Sequence, residues 1–424
     1  MSELPQGWEQ VSLTEIATVS TGKVDANHAS ELGKYTFFTC AMEPFKSETY
    51  SFEGELIILP GNGANVGHVA YYKGKIEAYQ RTYILFDIEV FPKYLYWQLK
   101  ENWKRANIDK QYGSATNYLK IGNFKNYNFP LAPLNEQIRI ANKLDSLLRK
   151  LETTQKRLDK IPTLLKRFRQ SVLAAAVTGE LTAEWRNNQS KNLEIYSFEQ
   201  LSSYEGKVLK QLPPLWGWSS FSDVAIIKSN LVDPKLTPND IHLAPNHIEP
   251  DTGRIKEIKT IEQDGVKSGK HRFYKGQIIY SKIRPYLNKV VLVDFDGLCS
   301  ADMYPIDSLI NSKYLQSYFL SSQFVHWTSM KQSRVVLPKI NQKGLSTIPV
   351  PVPPIEEQKQ IVRQIEALFK LAYKVEQQYQ AAKQRTDKLT QSILAKAFRG
   401  ELVPQDPNDE PASELLKRIK ESRA

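Results

Sequence analysis

One stretch of this chain occurs twice, and the spacing between the copies does not vary. Pro130-Leu-Ala-Pro-Leu-Asn-Glu-Gln137 returns as Pro351-Val-Pro-Pro-Ile-Glu-Glu-Gln358, and Ser171-Val-Leu-Ala-Ala-Ala-Val-Thr-Gly-Glu-Leu181 returns as Ser392-Ile-Leu-Ala-Lys-Ala-Phe-Arg-Gly-Glu-Leu402. Gln137 and Gln358 lie 221 residues apart, as do Gly179 and Gly400. No insertion or deletion separates the two blocks, so the stretch between them needs a fixed length. Weaker echoes lie upstream: Leu4-Pro-Gln-Gly-Trp8 with Leu212-Pro-Pro-Leu-Trp-Gly-Trp218, Gly54-Glu-Leu-Ile-Ile58 with Gly276-Gln-Ile-Ile-Tyr280, and Tyr94-Leu95 with Tyr314-Leu315. The repeated unit is far longer than a solenoid repeat, so this is a duplicated domain followed by a helical part.

The helical part explains the fixed length. Apolar residues fall at Ile140, Leu144, Leu147, Leu151, Leu158, Ile161, Leu165, Phe168 and Val172, with Thr154 filling one position. The second copy carries Ile361, Ile365, Leu368, Ala372, Val375, Tyr379, Ala382, Leu389 and Ile393. Alternating steps of four and three are the mark of a coiled-coil seam. Gly179 and Gly400 stand where each helix should stop. Pro162 interrupts the first helix, where the second has Lys383, and is expected to kink it without breaking it. At about 1.5 Å per residue a helix of about 43 residues spans roughly 65 Å. A seam must pair, and the simplest partner for one copy is the other, antiparallel about a pseudo-twofold axis. The expected class is α+β: two mixed α/β domains joined by two long antiparallel coiled-coil helices in a tandem repeat. The boundaries predicted are a domain over 1–133, a spacer helix over 134–179, a linker over 180–210, a second domain over 211–353, a second spacer helix over 354–400 and a tail over 401–424.

Within the globular parts, Glu55–Leu59 and Gln277–Tyr280 look like buried strands, followed by strands at Val69–Tyr72 and Val290–Val293. Tyr94–Trp103 and Lys313–Phe324 look helical. The loops between the strands differ in chemistry. Pro60–Gly67 is rich in glycine and asparagine, while Ser281–Lys289 is basic and aromatic. Equivalent loops with different chemistry suggest readers of two different targets. Gly61-x-Gly63-x-x-x-Gly67 superficially resembles a phosphate or S-adenosylmethionine loop, but such loops lead into a helix. Here His68–Tyr72 is β-like. A glycine turn presenting Asn62 and Asn65 to base edges fits better, since Asn pairs well with adenine in the major groove. In the second loop, Lys282, Arg284, Tyr286, Asn288 and Lys289 cluster; Arg grips guanine and Lys meets phosphate. A solvated basic hairpin is the plain alternative. Gln111, Ser114 and Asn117, with Ser333 and Arg334, form later polar loops that could also face DNA.

Charge is consistent with this. The formal net charge is +11, which favours an anionic partner because a basic protein gains affinity by displacing counterions from phosphates. Charge alone leaves equally open a basic protein that binds no nucleic acid. The segment 134–178 carries ten Lys or Arg against four Asp or Glu. Two cysteines, Cys40 and Cys299, without a Cys-x-x-Cys pair, argue against a zinc ribbon and suit a reducing cytoplasm. The six histidines show no metal-ligand spacing, so no metal is expected. No Walker loop, no Gly-x-Ser-x-Gly elbow and no Asn-Pro-Pro-aromatic motif appears, and no catalytic residue is assigned. The N-terminus lacks a signal peptide, and Val172–Val177 is too short to span a bilayer.

The Leu-Pro-x-Gly-Trp opening, the Pro-Leu-Asn-Glu-Gln and Pro-Ile-Glu-Glu-Gln helix starts, Lys166-Arg-Phe-Arg-Gln-Ser-Val-Leu-Ala-Ala-Ala176, the Gly-Glu-Leu stops, Ser281-Lys-Ile-Arg-Pro285 and Asp406-Pro-Asn-Asp-Glu-Pro411 together resemble the specificity subunits of type I restriction–modification systems. The resemblance covers essentially the whole chain. It implies two target-recognition domains, each reading half of an asymmetric bipartite site in double-stranded DNA. It implies no catalytic centre and no cofactor in this chain. Two modification subunits would dock on the helices and bring S-adenosylmethionine. Restriction subunits would add ATP- and Mg-dependent translocation and cleavage. An orphan DNA-binding regulator and a scaffold that binds no DNA remain open on the residues alone.

Overall fold

A computed structural model describes residues 4–107, 117–188, 197, 199–331 and 338–423. The chain folds as two compact units, one of Met1–Asp159 with Gln380–Ala424 and the other of Lys160–Tyr379. These units cut across the boundaries expected at 133/134 and 353/354. Each takes in a globular domain, the first part of the spacer helix that follows it, and the last part of the other spacer helix. The reason is that a single helix cannot bury its own seam.

The first unit is built on a six-stranded mixed sheet in the order Thr18–Thr21, Thr82–Phe86, Phe52–Pro60, Ala70–Ala78, Tyr35–Phe38, Phe45–Ser47. The run Leu56-Ile-Ile-Leu59 is continuously apolar because both faces of its strand are covered. Ile57 and Leu59 point into the main core with Leu85, Tyr94 and Leu95, whereas Leu56 and Ile58 point into a second cluster with Ile76 and Ile84. The second unit repeats this device with two sheets. Ile278 and Tyr280 face one core and Ile279 the other, in the strand Ile278–Ser281. The helix Pro92–Asn107 of the first unit becomes two in the second, Ser312–Phe319 and Ser322–Met330. Ser321 makes the division by accepting the Phe324 N–H as an N-cap.

The start of each spacer helix is welded to its domain by the same buried pair. Gln137 accepts from the Phe91 N–H (2.9 Å) and donates to the Ala132 carbonyl (2.8 Å). Gln358 accepts from the Asn311 N–H (2.9 Å) and donates to the Pro353 carbonyl (2.9 Å). The neighbouring glutamates are buried with them. Trp8 donates its indole N–H to Glu136 (3.0 Å) and Trp216 to Glu357 (2.8 Å). The second site is complete, because Thr182 and Arg186 also donate to Glu357. The first is not: Glu136 Oε1 has no hydrogen-bond partner among the described residues. Burial pushes the Glu136 carboxyl up, against the pull of Trp8 and Arg139.

The segment after each helix closes the opposite unit's fold. Gly179, at φ +78°, turns the chain so that Arg186 reaches Glu357. Gly400, at φ +75°, leads into a tail that is folded. Its helix Ala412–Arg423 buries Ala412, Leu415 and Ile419 in the first core, and Asp409 pairs with Arg139 at 2.6 Å.

Within each unit the two spacer segments run antiparallel. In the first, Ile140 and Leu144 share a core with Ile393 and Leu394, while Asp159 lies 3.8 Å from Lys383. In the second, Val172 and Val177 share a core with Ile361 and Ile365, and Arg169 meets Glu376 at 2.9 Å. Two corrections to the expected seam follow. The first spacer is two helices, Leu134–Leu158 and Ile161–Thr178, because Pro162 has no N–H to offer the Leu158 carbonyl. Asp159 and Lys160, between the two helices, keep right-handed helical angles. The second spacer is one helix, Ile355–Ala397. The seam is only partly apolar: Ile140, Leu144, Ile361 and Ile365 are buried, Leu147, Leu151, Leu158 and Leu368 half-buried, and Ala372 and Tyr379 buried. Val375 and Leu389 are exposed, at 36% and 48%. Glu376 takes the inward place that Val375 was expected to hold, because both Arg169 and Arg254 (3.2 Å) reach it. Burial would raise the Glu376 carboxyl, but the two guanidiniums outweigh it and hold it low.

The two welds predict opposite responses to one substitution. Glu136→Gln keeps an acceptor for Trp8 and removes a half-partnered buried charge, so the urea midpoint at pH 7 should hold or rise. Glu357→Gln strips Arg186 of its counter-charge and should cost on the order of 3 kcal/mol. The Glu136 carboxyl holds its proton above the ordinary 4.5, so its contribution weakens as pH rises through the raised value. The benefit of Glu136→Gln should therefore shrink in acid.

Candidate nucleic-acid interface

In both units the loop after the buried strand, Phe52–Pro60 in the first and Ile278–Ser281 in the second, is pinned to a later segment by the same hydrogen bonds. Asn62 bridges Tyr118, and Ile283 bridges Lys339. The Gly63 N–H donates to the Asn117 carbonyl (2.8 Å) and the Arg284 N–H to the Pro338 carbonyl (2.8 Å). Leu119 N–H donates to Gly61 (2.8 Å), and Ile340 N–H to Lys282 (2.9 Å). Every one of these positions matches its counterpart at the 221-residue offset of the helices. The duplication thus extends to the loops as a shared backbone cradle.

The side chains on the two cradles share almost nothing. In the first, Gly61 closes against Tyr83, where a Cβ would stand 2.8 Å from the ring. A cleft of about 360 Å³ opens there, lined by Thr21, Asn62, Gln80, Arg81, Tyr83 and Tyr118. It offers amides, an exposed guanidinium and aromatic faces, the groups that meet base edges and base planes. In the second, Lys282 replaces Gly61 and sets its ammonium 5.0 Å from the Tyr304 ring centroid. Asp302 stands where the first has Arg81, and pairs with Lys339 at 3.0 Å. Gly63, at φ +83°, is matched by Arg284, which holds the left-handed conformation at φ +48°. Asn288 in the same loop shares that conformation at φ +45°, and Arg284 and Tyr286 project into solvent. Burial lowers the Lys289 ammonium, and the positive charges of Lys256 and Arg284 lower it further. A crowd of cations that depresses its own members is stabilised by an approaching phosphate.

The structure divides the expected site residues. Asn62, Lys282, Arg284 and Tyr286 sit on the cradles, and Asn117 joins the first through its backbone. Asn288 is not placed to face DNA: it is 1% exposed and donates its amide to the Leu320 carbonyl. Asn65 is half-buried and donates to the Cys40 carbonyl (2.8 Å), so its amide serves the loop. Lys289 donates to the Pro245 carbonyl. Gln111, Ser114, Ser333 and Arg334 lie outside the described residues. Gln80, Arg81, Tyr118, Lys256, Asp302 and Lys339 were not anticipated. Carrying the 221-residue offset upstream would have exposed most of them, since it pairs Tyr83 with Tyr304, Arg81 with Asp302 and Tyr118 with Lys339. The histidines also depart from expectation, because folding brings His242, His247 and Asp264 together.

The family model for the type I restriction modification DNA specificity domain matches residues 5–163 and again 224–382. The chain belongs to the type I restriction–modification DNA specificity family. It is 47% identical to the EcoDI specificity subunit of Escherichia coli, over all of this chain and 96% of that protein. Identity to the EcoBI specificity subunit of Escherichia coli is 34%, over 70% of this chain and 64% of that one. Among solved structures, the HsdS subunit from Thermoanaerobacter tengcongensis shares the fold, with TM-score 0.53 and 16% identity over 94% of this chain and 98% of that one. As a type I specificity subunit the chain is the DNA-sequence-recognising component, and catalysis resides in the other subunits. Its two matched regions each contain one cradle loop.

The left-handed Arg284 gives a test that separates loop geometry from recognition. Arg284→Gly relieves about 1 kcal/mol of backbone strain, offset by the extra freedom of glycine in the unfolded chain. Thermal melting should stay unchanged while the guanidinium is lost.

Proposed function

We propose that the two cradles are the reading surfaces, each taking one half of an asymmetric, two-part site in double-stranded DNA. What carries this reading is the identity of their backbone hydrogen bonds beside the divergence of their side chains: one scaffold, two chemistries. The first presents amides and aromatic rings, suited to adenine edges and base stacking. The second presents Arg284 among lysines, suited to guanine and phosphate. The spacer helices serve as a fixed-length element that sets the gap between half-sites and docks two modification subunits. Those subunits supply S-adenosylmethionine and take the target adenine out of the stack. Restriction subunits supply ATP- and Mg-dependent translocation and cleavage. The setting is the cytoplasm, and no helix of the described residues is long and apolar enough to cross a membrane.

Exchanging residues 1–133 for those of another family member should change one half of the recognised sequence and leave the other intact, as scored by methylation of a site library. A change in both halves refutes independent readers. Arg284→Ala should relax discrimination at one base position by about 1–3 kcal/mol; a uniform loss across sequences would make Arg284 a phosphate contact. Specific gel-shift by this chain without a modification subunit would point to a free-standing regulator, and no salt-dependent binding to a scaffold. Inserting four residues at Lys156 should alter the tolerated gap between half-sites, and an unchanged gap removes the spacer from the mechanism.

A further inference from the structure

Beside the second cradle lies a buried cluster of two histidines and an aspartate. His242 comes from the strand Ile241–Leu243, His247 ends the short turn of helix Pro245–His247, and Asp264 lies in the turn after residue 260. One ring nitrogen of each histidine and one carboxylate oxygen lie within 4.8 Å of one another. His242 Nδ1 is 2.6 Å from Asp264 Oδ2, and His247 Nε2 is 3.3 Å from the same oxygen. Both imidazoles are almost wholly buried, at 2% and 1% exposure. Asp264 is the carboxylate at their centre, and its other oxygen faces Lys259 at 3.9 Å.

A carboxylate clasping two imidazoles would be the plain account, but Nε2 of His247, 3.3 Å from Asp264, makes no hydrogen bond to it or to any other described residue. Buried ring nitrogens are ordinarily satisfied, and an absent ion is one of the few reasons for an orphan. The surroundings of His247 suit a ligand. Its Nδ1 lies 3.2 Å from both the His242 carbonyl oxygen and the Ala244 nitrogen: with the proton on Nδ1 the ring donates to the carbonyl and turns an Nε2 lone pair towards Asp264, and with the proton on Nε2 the ring accepts from the Ala244 N–H instead, so an ion would select the first tautomer. A backbone carbonyl behind the ring is the usual support of a metal-bound histidine.

We infer that His242, His247 and Asp264 form a site for a zinc-class divalent cation, with the fourth position open to water. Two imidazole nitrogens and one carboxylate oxygen are borderline donors that favour such an ion over magnesium or calcium. Bonds of about 2.0–2.2 Å place tetrahedral ligands roughly 3.4 Å apart. His247 and Asp264 are already at that spacing, and the His242–Asp264 contact needs to open by less than an ångström. The ion's place is mechanical. The Pro245 carbonyl in the same short helix holds Lys289, and the Lys256 N–H donates to the His247 carbonyl (2.7 Å). Binding thus stiffens the ground under Lys256 and Lys289. The site itself stands independently of any DNA reading.

The test uses the full-length chain, stripped with a chelator, loaded with Zn²⁺ or Co²⁺, gel-filtered and assayed for metal. Wild type should retain one equivalent, as should His326→Ala, which alters an exposed histidine elsewhere. The double variant His242→Ala/His247→Ala should retain none. Co²⁺ in the wild type should give the visible absorption of a four-coordinate centre, and Zn²⁺ should raise its melting temperature. No retained metal in the wild type, or equal retention by the double variant, overturns the site. If the double variant does not fold, the wild-type Co²⁺ spectrum decides, and an octahedral spectrum overturns it.

Discussion

The weld between each spacer helix and its domain is the constraint on which the rest depends. A glutamine and a glutamate, one after the other at the helix start, are drawn entirely inside. The glutamine binds backbone on both sides of the joint, and the glutamate accepts an indole N–H from the first tryptophan segment of the domain. Burying such groups is costly unless each finds a partner. That cost makes the arrangement specific: a helix entering at another angle would leave an amide and a carboxylate unsatisfied. Tyr94 and Tyr314, donating to the Pro130 and Pro351 carbonyls, brace the strand that leads into each joint.

With its base held, each domain can vary at its tip. The cradle bonds are backbone to backbone and indifferent to side-chain identity. Glycine stands in one copy where lysine and arginine stand in the other, and the ladder is unchanged. On the proposed reading, this separation of frame from chemistry would let a duplicated domain acquire a second specificity without a new fold. The second copy bears a visible strain for it, since Arg284 occupies a conformation that glycine takes freely.

Charged pairs interrupt the apolar seam of the spacer. Arg169 and Arg254 converge on Glu376 in the second unit, and Lys383 approaches Asp159 in the first. Partly exposed pairs of this kind add little stability. Their value is in register, because a slip of one turn would separate the partners. The tail has a comparable part in the first unit: its helix and Asp409 complete a core that the globular segment leaves open.

The duplication, the constant 221-residue offset, the spacer helices, their glycine stops and the apolar strands were all legible in the sequence. Each is carried by local pattern: periodicity, chain punctuation and self-similarity. The proline interruption was visible too, though not that it divides the helix in two. Tertiary structure alone decided which polar residues are structural. Asn288 and Arg284 sit four residues apart in one basic loop and look alike as candidates. One is buried against the Leu320 carbonyl and the other is in solvent, because long-range packing, not loop composition, sets which way each faces. The same holds for Val375 and Glu376, whose exchange at the seam follows from two arginines that arrive from distant parts of the chain. Glu136, Glu357 and the His242–His247–Asp264 cluster were invisible for the same reason: their partners are brought to them only by folding.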